Sequence, residues 1–192
     1  MIKNYNQKEY KNINQIGKEY DKIDKKIFMP QFHYDEIIKS FLSFKNKGKI
    51  LDFGCGNGLL LERVPDTFTK FGLDISEKIL ENAISKNPEV TFSNSIDKFE
   101  KNYFDIIVLS EVLEHFQNPI NELKIIKEYL KEDGLLVITV PNGDRLNLGK
   151  ILKFDRIFQP ITDILYTWSE LSLMFKLLSF RPVYFNSFGG YL

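Results

Sequence analysis

The stretch Lys49-Ile50-Leu51-Asp52-Phe53-Gly54-Cys55-Gly56-Asn57-Gly58 decides how this chain is read. Apolar Ile50 and Leu51 lead into an acid and then into three glycines at alternating positions, and Leu59-Leu60-Leu61-Glu62 follows as the start of a helix. Strand, glycine turn and helix in that order open a nucleotide-type βαβ unit. Glycine suits the loop because the backbone must bend sharply there and a ligand must approach it without meeting a Cβ. A dinucleotide fingerprint would carry its third glycine one residue later, where Leu59 stands, and no P-loop lysine follows the glycines. A glycine-rich loop alone is equally a tight turn, so the decision rests on what lies around it.

Downstream, Leu59 to Val64 reads as a short helix closed by Pro65, and Phe68 to Leu73 as a second strand ending in Asp74. An acid at the carboxyl end of the second strand, about 20 residues past the glycines, is placed to accept hydrogen bonds from both hydroxyls of a ribose. The competing reading makes Asp74 a helix N-cap, a task for which Ser76 is also available. Ser76 to Asn87 is an amphipathic helix ended by Asn87-Pro88, with Ile79, Leu80, Ala83 and Ile84 on one face. Val90 to Ser93 is a third strand. Tyr103 to Ser110 is a nearly continuous apolar strand of the kind buried on both faces of a parallel sheet. Glu111-Val112-Leu113-Glu114-His115 stands at its carboxyl end, the edge where open α/β sheets bind ligands. Pro119 to Leu130 is the next helix, Glu132-Asp133-Gly134 turns the chain, and Leu135 to Val140 is a fifth strand.

The ordered set Asp52 to Gly58, Asp74, Phe104-Asp105, Glu111 to His115 and Gly134 to Asn142 resembles the class I S-adenosylmethionine-dependent methyltransferases, small-molecule type, including the ubiquinone-pathway O-methyltransferases. The match covers about half the chain. It implies an α/β, Rossmann-like sandwich with a mostly parallel sheet and helices on both faces. It also implies roles. Amides of Gly54, Cys55, Gly56 and Gly58 would meet the methionine part of S-adenosylmethionine, and Asp52 would help hold its amino group. Asp74 would fix the ribose, Ile75 and Ile96 would sandwich the adenine beside Ser95, and Ser110 would line the floor. Ser95-Ile96 departs from the acid common at that place in the family.

Glu111, Glu114 and His115 carry the chemistry in this reading. A helical turn starting just after the fourth strand would put them at i, i+3 and i+4 on one face. His115 then serves as general base beside a carboxylate that orients it, or all three ligate a divalent ion such as Mg²⁺. The structural alternative has the two acids capping the turn. Similar E-x-x-E-H segments serve as metal ligands in some ubiquinone-pathway and small-RNA methyltransferases; the small-RNA enzymes carry a further histidine after strand five, and none follows His115 here.

Composition narrows the function. Lys plus Arg number 26 against 26 Asp plus Glu, so no net field favours nucleic acid. A lone cysteine, Cys55, fits a reducing compartment, and no signal peptide or run of 18 apolar residues is visible, so the expectation is a cytoplasmic protein. The chain reads as one domain: an N-terminal arm and helix over residues 1–46, a cofactor-binding core over 47–142, and a substrate-side insertion, helix and last strand over 143–192. Met1 to Lys26 is a solvated or partly helical arm, or by resemblance a lid. Ile27 to Phe44 is a helix whose early His33 reads as a capping or surface residue. Leu146 to Phe158 alternates apolar and basic residues, as either a helix over the pocket or a surface touching a membrane or lipid-linked acceptor. Trp168 to Phe180 is helical and Arg181 to Phe185 a sixth strand. The family's usual last strand does not fit in what remains, so the sheet edge is expected to be covered by the insertion or paired in a homodimer. The expected activity is methyl transfer to a small polar acceptor, most simply a hydroxyl on a sugar, envelope precursor or quinone-pathway phenol. The alternative is a non-catalytic S-adenosylmethionine-binding partner or sensor.

Overall fold

Ile50 and Leu51 are both fully buried, yet they lie in different hydrophobic clusters. The same split recurs in the fourth strand, where Ile106 and Val108 join one cluster and Ile107 and Leu109 the other. Successive strand residues point to opposite faces, so this alternation means a sheet sealed on both sides. The computed structural model describes residues 31–143 and 164–187.

Five parallel strands form the sheet: β1 (Gly48–Phe53), β2 (Phe68–Leu73), β3 (Thr91–Ser93), β4 (Phe104–Ser110) and β5 (Leu130–Thr139), in the order β3-β2-β1-β4-β5. The order reverses at β1, so a crevice opens at the carboxyl ends of β1 and β4. One face is covered by α1 (Gln31–Leu42), through Ile37, Ile38 and Phe41, and by Leu80 of α2 (Glu77–Lys86). The other is covered by α3 (Pro119–Tyr129), through Leu123, Ile126 and Tyr129, and by Met174 of α4 (Trp168–Leu177). Phe71, Phe99, Tyr103 and Phe104 meet edge to face within that second layer, with ring centroids 5.2–5.7 Å apart. Phe71 and Phe104, the buried pair, each contribute about 1.5–3 kcal/mol.

Local rules set the element ends. Ser76 caps α2 by accepting from Ile79 N, Asn118 caps α3 ahead of Pro119, and Thr167 with Glu170 forms a capping box on α4. Lys131 to Gly134 does turn the chain, but as a bulge inside β5: Phe104 pairs with Leu130 and Ile106 already with Leu135.

Three expectations are corrected. Leu59 to Val64 is a run of turns and not a helix, mixing Glu62 N to Gly58 O with Arg63 N to Leu60 O before Pro65; so short a segment cannot repay helix nucleation. Helix α4 stops at Leu177 rather than running to Phe180. Arg181 to Phe185 joins no ladder, so among the described residues the sheet has five strands and not six. Asn142 bridges Tyr166 and Gly143 N donates to Tyr166 O, so the chain returns at residue 164 to the point it left. The arm over residues 1–26 and the amphipathic stretch from Leu146 to Phe158, with its lid and membrane readings, lie outside the described residues. Among the described residues no helix is long and apolar enough to cross a membrane.

Candidate functional site

The carboxyl ends of β1, β2 and β4 gather the residues that the sequence singled out. Gly54, Gly56 and Gly58 all have positive φ, at 82°, 52° and 79°, a region that side chains other than glycine's occupy only at a cost. Gly54 is closed off besides: a Cβ there would lie 2.5 Å from Cγ2 of Val112, in the segment after β4.

The loop's amides do not face outward as a cradle. Gly54 N and Cys55 N both donate to Leu73 O, at 2.7 and 2.9 Å, and Gly58 N donates to Cys55 O. Gly56 N donates to Oδ2 of Asp74 at 3.0 Å, while Oδ1 of Asp74 accepts from Ser76 N at 2.9 Å. The amides of Gly54, Cys55, Gly56 and Gly58, expected to meet a ligand, are thus each engaged within the protein. A diphosphate would need those donors free. Acceptors stand around the loop: the carboxylates of Asp52, itself buried, and of Asp74, and Oδ1 of Asn57, which is buried without a hydrogen-bond partner. Such a surface suits a ligand that is cationic and rich in N–H and O–H donors.

Asp74 is not the cap of α2, because Ser76 takes that position and Asp74 instead ties the glycine loop to the end of β2. It is only partly buried. Ile75, beside it, is also half-exposed, whereas Ile96 is 1% exposed and packed in the core. Ile96 thus offers no free face for a ring; it opens a single 3-10 turn, Ile96–Lys98, capped by Ser95. Asn94 lies in the same bend and bonds Glu77 and Lys98.

Beyond β4 the structure departs from a helical turn. Glu111 takes φ 55°, and the 3-10 helix begins only at Leu113 and ends at His115. Glu114 is buried at 2% exposure while His115 is exposed. The i, i+3, i+4 face expected for Glu111, Glu114 and His115 is therefore not formed, and among the described residues no three His, Cys, Asp or Glu side chains come together as a metal site. These residues do not fit a divalent ion. Glu114 instead anchors the return of the chain, where Ile164 N donates to its carbonyl and its carboxylate helps raise the pKa of Tyr166, after burial.

Two residues that the sequence did not point to complete the site. The first turn of α1 lies at the same sheet edge, with Nε2 of His33 3.4 Å from Oγ of Ser110 at the end of β4. Tyr34, next along, has its hydroxyl pKa pushed up to about 12, by burial first and then by the Asp52 carboxylate. Asp35 bonds Arg63 at 2.8 Å and so holds α1 against the segment after the glycine loop. Nothing in the local sequence around Gln31 marks this docking, which pairs residues 77 positions apart.

A family model for a methyltransferase domain matches residues 27–176. An uncharacterised protein of Methanocaldococcus jannaschii is 31% identical over 163 residues, covering 83% of this chain and 68% of the relative. The ubiquinone biosynthesis O-methyltransferase of Glaesserella parasuis is 31% identical over 132 residues, 60% of this chain and 56% of that enzyme. The chain spans about half the length of the ubiquinone-pathway relatives it matches. Among solved structures, a SAM-dependent methyltransferase from Aquifex aeolicus gives a TM-score of 0.65 over 88% of both chains at 18% identity, a likeness of fold.

Proposed function

The chain belongs to the class I S-adenosylmethionine-dependent methyltransferases, and from that premise we propose that it methylates a hydroxyl of a small polar acceptor. One observation carries the cofactor half of the reading. Four amides of the glycine loop, those of Gly54, Cys55, Gly56 and Gly58, are engaged within the protein, and the loop stands beside two carboxylates, Asp52 and Asp74, so it favours a cationic ligand over a phosphate. S-adenosylmethionine supplies, when bound, a methyl group activated on a sulfonium.

The chain's own residues do the rest. Asp52 and Oδ1 of Asn57 accept from the amino group, directly or through water. Asp74 accepts from the ribose hydroxyls beside its bonds to Gly56 N and Ser76 N. Ile75 and the Ser95 bend flank the adenine, and Ile96 backs them from the core. Ser110 and the segment from Glu111 to His115 form the acceptor side, where Glu111 and His115 offer polar contacts to the incoming hydroxyl. Holding the two reactants aligned away from water supplies most of the acceleration in such a transfer.

The hydroxyl acceptor is supported by the partial similarity to ubiquinone-pathway O-methyltransferases and by the balanced charge, which gives no field for nucleic acid. Calorimetric titration with S-adenosylhomocysteine, NAD and ATP tests the cofactor half; S-adenosylhomocysteine alone should bind, and binding of only the phosphate-bearing ligands would refute it. Radiolabelled methyl transfer across a panel of phenols, sugars and amines tests the acceptor half, and label entering only amines would overturn the hydroxyl assignment.

A further inference from the structure

His33 is one of two histidines in the chain, and the fold carries it to the place where the reacting groups would meet. Helix α1 has no motif of its own, yet its first turn lies against the carboxyl end of β4. There a chain of hydrogen bonds runs from strand to strand. Glu111 N donates to Oγ1 of Thr139 at 3.2 Å, Oγ1 of Thr139 donates to Oγ of Ser110 at 3.5 Å, and Oγ of Ser110 meets Nε2 of His33 at 3.4 Å. Glu111 N is shared with the backbone carbonyl of Thr139 at 3.1 Å, and Thr139 Oγ1 keeps its own proton for Ser110. With Thr139 donating and His33 in the tautomer that carries its proton on Nδ1, the single proton of Ser110 points at Nε2, which accepts it.

We infer that His33, acting through Ser110, is the proton acceptor of the reacting centre. The inference rests on the methyltransferase reading and sharpens it by giving the acceptor's proton a destination. Methylating a hydroxyl breaks one O–H bond. The oxygen uses an electron pair to bond the methyl carbon, the C–S pair returns to sulfur, and the released proton must leave. It passes to Oγ of Ser110 as the proton of Ser110 moves onto Nε2.

The surroundings favour this use of His33 over His115. Burial lowers the pKa of the His33 imidazole below its ordinary 6.5, so the ring is neutral and able to accept at pH 7. Among the described residues, its own helix carries Tyr34, Asp35 and Glu36, and Asp52 and Glu111 stand at the ends of β1 and β4. Asp35 is paired with Arg63 and Glu36 with Lys39, and none of these carboxylates outweighs burial at the imidazole. His115 is exposed on its turn, where water competes for any proton it handles.

A test needs no knowledge of the acceptor, because S-adenosylmethionine and S-adenosylhomocysteine differ by one positive charge at the reacting sulfur. Histidine ring signals are followed by NMR against pH in both complexes, with His115→Gln used to assign the two rings. A unit charge roughly 6 Å away lowers a histidine midpoint by about half a pH unit even at the dielectric of water, and by more in a drier site. The expected result is a His33 midpoint below 6.5 that is lower with S-adenosylmethionine by about half a unit or more. Equal midpoints in the two complexes, or a midpoint above 6.5, overturn the inference while leaving the methyltransferase reading standing. Absence of S-adenosylhomocysteine binding by calorimetry removes that reading and this inference with it. In Ser110→Ala the ¹⁵N signal of Nε2 should move as its partner is lost, and an unmoved signal also overturns the inference.

Discussion

Replacing Asp74 by Asn is the sharpest perturbation of the cofactor side, because it changes one atom and leaves the shape. The two carboxylate oxygens accept from Gly56 N at 3.0 Å and Ser76 N at 2.9 Å. An amide has one oxygen, so one of those backbone donors must face an N–H group. Bonds to a charged acceptor are worth about 1.5–3 kcal/mol each, and the half-exposed setting favours the lower end. The loss falls on the glycine loop and on the ribose contact together. S-adenosylhomocysteine affinity should therefore drop about tenfold to a hundredfold, at about 1.4 kcal/mol for each factor of ten. Thermal stability should fall by only about 1–2 kcal/mol. Titration calorimetry reads the first and a melting curve the second. Ser76→Ala is the control: it removes the cap on Ile79 N, at 3.4 Å, and should cost about 1 kcal/mol of stability while affinity holds. Unchanged affinity in a folded Asp74→Asn protein would refute the reasoning and leave Asp74 as a tie between loop and strand.

Three further outcomes are expected. Gly54→Ala should destabilise by about 1–3 kcal/mol, through its φ of 82° and the 2.5 Å approach of Val112; adding Val112→Ala should restore only part, since the backbone strain stays, and full rescue in denaturant unfolding would contradict that split. Tyr34 has a folded-state pKa raised to about 12 against an ordinary 10, so its contribution to stability is complete below pH 10 and is lost as pH rises from 10 through about 12. Tyr34→Phe should flatten the stability profile in that window, and an unaltered profile would mean the hydroxyl is not held neutral by burial and Asp52. Thr167→Ala breaks a capping box whose Glu170 carboxylate accepts from Thr167 N at 2.8 Å; it should lower the unfolding free energy by about 1 kcal/mol without touching cofactor affinity.

The sequence by itself determined the order of the strands along the chain, the glycine loop, the acid that ends β2, and the cap at Ser76. These are local matters. A strand buried on both faces shows as a continuous apolar run, a positive-φ loop shows as glycines, and a cap shows as a hydroxyl before a helix. Where local signals were weak or contradictory, the reading slipped. Leu59 to Val64 has the composition of a helix but too little length, and Arg181 to Phe185 has the apolar character of a strand but no ladder partner among the described residues. The i, i+3, i+4 face of Glu111, Glu114 and His115 assumed a helix that the positive φ of Glu111 and the late start of the 3-10 turn do not make. Only tertiary structure decided which amides of the glycine loop were already engaged, because their partners, Leu73 O and Asp74, belong to another strand and its end. It likewise decided that His33 lies beside Ser110 and Tyr34 within the field of Asp52. A helix docks by its apolar face, here Ile37, Ile38 and Phe41, and the polar residues of its first turn are carried wherever that packing sets them down; no local pattern records that a histidine at position 33 will meet a serine at position 110.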